Sequence, residues 1–136
     1  AKKANDPALF SAARKAILAA NKVDPEDPEA LYLYYRTYRA ANQAAPQDAV
    51  DALRYSTILA PQDYYTAIQL VAELLRRNDG KGAAEALKPL AYLPHAGQTK
   101  RNDALNVLKL IESGKSVDAL ALMQKELFPK KDEDPN

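Results

Sequence analysis

Few residues in this chain could carry covalent or metal chemistry. Cysteine is absent, and the one histidine, His95, stands in the turn Pro94-His95-Ala96-Gly97 with no acidic residue beside it. The lack of cysteine excludes a disulfide framework, a thiolate metal site and a cysteine nucleophile. A metal role for His95 would need further ligands, and triad chemistry would need an orienting acid and a nucleophile, so a solvated or helix-capping histidine is expected. Asp24, Glu26 and Asp27 crowd one turn and could attract a cation, but their spacing is not that of a calcium loop; helix capping accounts for them more simply. Arg76-Arg77 falls where a helix should end, and cations there offset the exposed carbonyl dipole. Asn78-Asp79-Gly80-Lys81-Gly82 is too short, and in the wrong order, for a phosphate loop. The expectation is a chain that is not an enzyme and uses no metal or cofactor.

Binding chemistry is better supplied. Eight tyrosines and 19 Lys+Arg stand against 18 Asp+Glu, a formal net charge of +1. That balance creates no field that would recruit nucleic acid or an anionic membrane, so any electrostatic role must be local. No apolar run approaches the ~20 residues of a membrane span. The first six residues lack the apolar stretch of a signal peptide. The composition leaves cytoplasm and periplasm both open. At 136 residues the chain fits one domain.

The elements that must position these side chains read as helices throughout. Ala, Leu, Lys, Arg, Gln and Glu dominate, nine prolines and four glycines punctuate, and no period-two strand pattern is sustained. Asp6-Pro7 starts a first helix, with a stripe of Leu9, Ala13, Ala16, Ile17 and Ala20, ending near Asn21. Asp27-Pro28 starts a second, through about Asn42, with Leu31, Tyr34, Tyr35 and Tyr38 facing the core. A third follows Pro46-Gln47-Asp48 and ends at Ala60-Pro61, and Asp63 caps a fourth. Asn78-Asp79-Gly80 supplies the left-handed residue that closes the fourth, and a fifth runs from Lys81 to about Tyr92, kinked or shortened by Pro89. A sixth spans about Thr99 to Glu112, closed by Ser113-Gly114, and Ser116 caps a short seventh reaching Leu127. Residues 1–6 are expected to be a flexible N-terminus, 7–127 the helical domain and 128–136 a disordered tail.

The prolines after alternate helices set a period. Pro25 to Pro61 is 36 residues and Pro61 to Pro94 is 33, either side of the ~34 residues of a tetratricopeptide repeat. Leu31, Tyr34, Tyr35 and Tyr38, then Ala49, Leu53, Ser56 and Pro61, resemble one such unit, with Tyr35 where that family usually has a small residue and two extra residues in the turn at Pro46. Ala67, Leu70, Val71 and Leu74, then Ala83, Leu87, Leu90 and Pro94, resemble a second. Ala104, Val107, Leu108 and Ile111, then Ala119 and Met123, form a weaker third, and the first helix resembles a second helix of a pair standing alone. That orphan either caps the stack or begins halfway through a repeat of a longer array, the second case predicting more protein upstream. The segment around Pro94 is also similar to helical-repeat tails of some bacterial proteins of unassigned function.

The resemblance implies an all-α fold of about seven helices, in antiparallel pairs stacked as a short right-handed solenoid. It also implies a groove lined by the first helix of each pair: Glu29, Tyr32, Arg36 and Arg39, then Tyr65, Ile68, Ala72 and Leu75, then Asn102, Leu105, Lys109 and Glu112. Tyrosine offers large area with few rotors, and arginine grips a carboxylate with two parallel bonds. The expected partner is a protein, peptide or helix with an acidic group near Arg36 and Arg39. Tyr32 and Arg36 stand where a carboxylate-clamping subclass has Lys and Asn, so that clamp is not reproduced. Two alternatives stand beside the scaffold reading: a positioning or oligomerisation tail of a larger bacterial enzyme or envelope protein, and an RNA-binding helical repeat, which the near-zero charge disfavours. Self-association through the first or last helix would make a homo-oligomer.

Overall fold

The computed structural model describes residues 7–92 and 97–128. His95, the segment 1–6 and the tail from Pro129 lie outside the described residues. Within them the chain forms seven α-helices and no strand: α1 (Pro7–Val23), α2 (Pro28–Ala40), α3 (Gln47–Leu59), α4 (Tyr64–Arg76), α5 (Gly80–Ala91), α6 (Gln98–Glu112) and α7 (Ser116–Glu126). Two compact units divide between Thr66 and Ala67.

Aspartate caps set the starts of α2, α4 and α5. The Asp27 carboxylate accepts the amide of Glu29 at 3.0 Å at the head of α2, and Asp63 accepts that of Thr66 at 3.2 Å at the head of α4, both as the sequence suggests. The break before α5 falls in the Asn78-Asp79-Gly80 stretch, as the sequence suggests. The left-handed residue is Asn78, at φ 60°, and Gly80 is already helical. Asp79 becomes the cap and accepts the Gly82 amide at 2.9 Å. A Cβ at Gly82 would press on the Asp79 carboxylate and oblige that side chain to shift. Replacing Asp79 with alanine should therefore cost about 1 kcal/mol, read as a lower urea midpoint with unchanged m. An unchanged midpoint would show that the Gly82 amide is equally well served by water.

Two more boundaries depart from expectation. Pro89 neither ends α5 nor confines it, since the helix runs two residues further to Ala91 before the Tyr92 amide bonds back to Pro89 O at 3.3 Å. Pro89 has no N–H for the carbonyl of Glu85, which stands at an exposed position where water can serve it, and the helix continues for only two residues more. Ser116 is the first residue of α7 rather than its cap; Lys115 holds the cap position, with no side-chain bond to the helix. Gly114, at φ 78°, closes α6 as expected.

In the first unit α2 packs against both α1 and α3. The Ser56 hydroxyl near the end of α3 donates to the Pro28 carbonyl at the start of α2 at 2.8 Å, so those two helices run antiparallel. Tyr35, Val50 and Leu53 fill the interior, and Ala49, fully buried, lets α3 approach closely. In the second unit α6 packs against α5 and α7. Its core is Val71, Leu87, Val107 and Met123, with the small residues Ala83, Ala104 and Ala119 at the close approaches. In α4 every residue from Thr66 to Leu75 except Ala67 is buried, Gln69 and Glu73 included. Glu73 takes Arg77 Nε at 2.9 Å and Arg76 at 3.7 Å, so the Arg76-Arg77 pair neutralises a buried carboxylate as well as standing at a helix end.

Candidate partner-binding surface

Tyr32, Arg36 and Arg39 lie four and then three residues apart on α2, a spacing that puts them on one helix face. All three side chains are half-buried. The Tyr32 ring meets Tyr65, at the start of α4, edge to face with centroids 6.4 Å apart and planes at 70°. Burial pushes the Tyr32 hydroxyl up to about 12; Tyr65 and Asp63 add to the shift and Arg36 opposes it. The phenol therefore stays neutral and able to donate at physiological pH.

Neither Arg36 nor Arg39 forms an ion pair or a side-chain hydrogen bond among the described residues. Guanidinium groups half removed from water usually sit against a carboxylate. Here two stand side by side without one, next to a pair of stacked tyrosines. Such a surface can grip a carboxylate bidentately and lay an apolar side chain against an aromatic face.

The remaining groove residues fare differently. Ile68, at 0% exposure, and Leu75, at 5%, belong to the core rather than to an open surface, and Ala72 is buried with them. The sequence pattern assigned them outward because a repeat template leaves that face of α4 free, whereas here those residues are buried. Asn102 and Lys109 are exposed on α6, with Asn102 Oδ1 accepting from Gln98 at 3.0 Å. Glu29 and Glu112 are exposed and Leu105 is half-buried.

A second constellation sits on a different face of α2 and was not singled out from sequence. Arg14 of α1 lies flat over the Tyr38 ring, 3.7 Å from its centroid. Its Nε donates to the Thr37 hydroxyl at 2.9 Å, and one terminal nitrogen donates to Gln43 Oε1 at 2.6 Å. Tyr38 stacks edge-on against Tyr34 at 5.5 Å, and the Tyr34 hydroxyl donates to Asp48 at 3.0 Å. Tyr34 and Tyr38, read from sequence as core with Tyr35, are thus only half-buried, and Tyr35 alone is enclosed. Desolvation, with hydrogen bonds to Tyr38 and Asp48, holds the Tyr34 hydroxyl above its ordinary range. Arg14→Leu should cost about 1–2 kcal/mol by losing the fork of bonds and the ring contact. Arg14→Lys should recover only part of that, because an ammonium cannot span Thr37 and Gln43 together. Thermal unfolding checks this, and a lysine variant as stable as wild type would contradict it.

Among the described residues no three His, Asp or Glu side chains gather where they could hold a metal ion. No described helix is long and apolar enough to cross a membrane. No protein family, curated protein or solved structure matches the chain.

Proposed function

We propose that the chain is a non-catalytic interaction module of tetratricopeptide-like helix pairs, which binds an acidic peptide or partner helix on the α2 face bearing Tyr32, Arg36 and Arg39, beside Tyr65. The observation that carries the reading is the pair of half-buried arginines, Arg36 and Arg39, lacking carboxylate partners among the described residues. Local sequence supports the repeat assignment: the small residues Ala49, Ala83, Ala104 and Ala119 all sit at closely packed helix contacts. A carboxylate from a partner would neutralise what the chain itself leaves open, and the edge of the tyrosine pair would accept a neighbouring apolar side chain. Selection from a random peptide library displayed on phage should enrich Asp- and Glu-bearing sequences. Enrichment of basic or purely apolar sequences would count against the reading.

One observation favours a second reading, in which the chain is an oligomerisation or positioning segment of a larger protein. Helix α1 fully buries none of its described side chains and leaves Leu9, Leu18 and Val23 exposed. Sedimentation at micromolar concentration separates the two: a stable dimer dispersed by Leu9→Lys/Leu18→Lys supports self-association, and a monomer removes it.

A further inference from the structure

A cavity of about 190 Å³ opens between α1, α2 and α3, away from the Arg36 face. Its walls are the apolar side chains Ile17, Leu18, Ala30, Leu31 and Ala52, and its polar lining is Asn21, Tyr34 and Asp48. At this size it is smaller than the roughly 300–1,000 Å³ of cofactor and drug-like sites, so it suits one side chain rather than a whole small molecule. Leu18, 44% exposed, leaves the space accessible from solvent.

The lining carries one sign of charge, that of Asp48. Asn21 Oδ1 is buried and has no hydrogen-bond partner. Asp48 engages Tyr34 through Oδ2 only. The Tyr34 hydroxyl has already committed its proton to that bond. No lysine, arginine or histidine lines the space. Asn21 also belongs to the last turn of α1, whose C-terminal dipole favours a cation. A buried acceptor without a donor is costly, and a ligand that brings N–H groups would relieve it.

We propose that this cavity receives a lysine or arginine side chain of a binding partner, its aliphatic stem against Ile17, Leu18, Leu31 and Ala52 and its cationic tip between Asn21 Oδ1 and the Asp48 carboxylate. Long basic side chains have this division, an apolar stem ending in donors only. An acidic side chain would face the Asp48 carboxylate, and an apolar one would leave Asn21 Oδ1 without a partner. The proposal is independent of the acidic-peptide surface: it rests on other residues, on a different face of α2.

The test uses n-butylammonium as probe, with n-butyrate and n-butanol as controls, followed by NMR on the full chain. Butylammonium should move the Asn21 side-chain amide and the Ile17 and Leu18 methyl signals along one saturable curve, with a dissociation constant on the order of 10 mM for so small a ligand. Butyrate should bind at least about tenfold more weakly, the difference expected from charge-assisted pairing. Asp48→Asn, which keeps an acceptor for Tyr34, should weaken butylammonium several-fold, and Ala52→Leu should abolish its binding by filling the cavity. Equal affinity for all three probes would overturn the cationic assignment, and the lack of any saturable shift would show a space that holds only water. If Ala52→Leu loses helicity, Asp48→Asn decides: unaltered butylammonium binding there overturns the proposal.

Discussion

Tyr35→Ala should destabilise the protein by about 3–5 kcal/mol, the cost of truncating a fully enclosed aromatic side chain. Tyr35 is at 0% exposure and is the largest of the fully buried side chains. It sits on α2 where that helix is held between α1 and α3, so the void left by the ring could close only by moving two helices at once. Domains of this size are stable by about 5–15 kcal/mol, so the variant should lose a large share of its folded population at 37 °C. Tyr34→Ala, one residue away, should cost much less, because its ring is half exposed and its hydroxyl bond to Asp48 lies at the surface. Urea unfolding followed by circular dichroism measures both. Equal losses at the two positions would contradict the assignment of Tyr35 as the centre of the first unit.

That contrast marks how far the sequence could be read. Three tyrosines at helical spacing announce an aromatic face, and all three look like core. Which of them is enclosed depends on Arg14, which reaches across from α1 to hold Tyr38, and on Asp48, which reaches from α3 to hold Tyr34. Those partners stand 24 and 14 residues away in the chain, beyond any local pattern. The helices themselves were legible because punctuation is local: Asp27-Pro28, Asp63 and Gly114 act where they stand. At Asn78-Asp79-Gly80 the signal is equally local: asparagine takes the left-handed conformation and frees glycine to begin the next helix. Ser116 looked like a cap because serine usually is one; here Lys115 takes that place and leaves the first amides of α7 without a side-chain acceptor.

The surface residues show the same division. Tyr32, Arg36 and Arg39 share a face by helical spacing alone, and the structure adds Tyr65 to them by a ring contact. Ile68 and Leu75 were assigned outward by a repeat template, yet they are buried. A signal was available: from Ile68 to Leu75 the apolar residues spread over more than half of the helix circumference, with Gln69 and Glu73 on the remaining side, and Ile68 and Leu75 both fall inside that broad apolar face. The cavity beside Asn21 carried no sequence signal, since an asparagine in a last turn ordinarily bonds to water or to the helix end.

Reversing both charges, Arg36→Glu with Arg39→Glu, should weaken an acidic peptide selected on the wild-type protein by at least about 30-fold, the loss of one strong hot spot. Both side chains are half-buried, so the carboxylate they meet is partly desolvated and the contact exceeds an exposed ion pair in strength. Helicity should not change, because neither side chain has a hydrogen bond or ion pair to lose among the described residues. Rising salt should weaken the wild-type complex and leave the residual binding of the reversed variant unaffected, as the Debye length falls from about 10 Å at 0.1 M to about 3 Å at 1 M. Titration calorimetry at two salt concentrations reads both effects. An affinity that survives reversal would move the binding surface elsewhere on the chain.

The most direct measurement is NMR mapping of that selected peptide on the labelled full chain, following the arginine Nε–H and tyrosine ring signals. The account predicts saturable shifts at Arg36, Arg39, Tyr32 and Tyr65 with one common dissociation constant. Shifts confined to α1 or α6, with Arg36 and Arg39 unmoved at saturation, would contradict it.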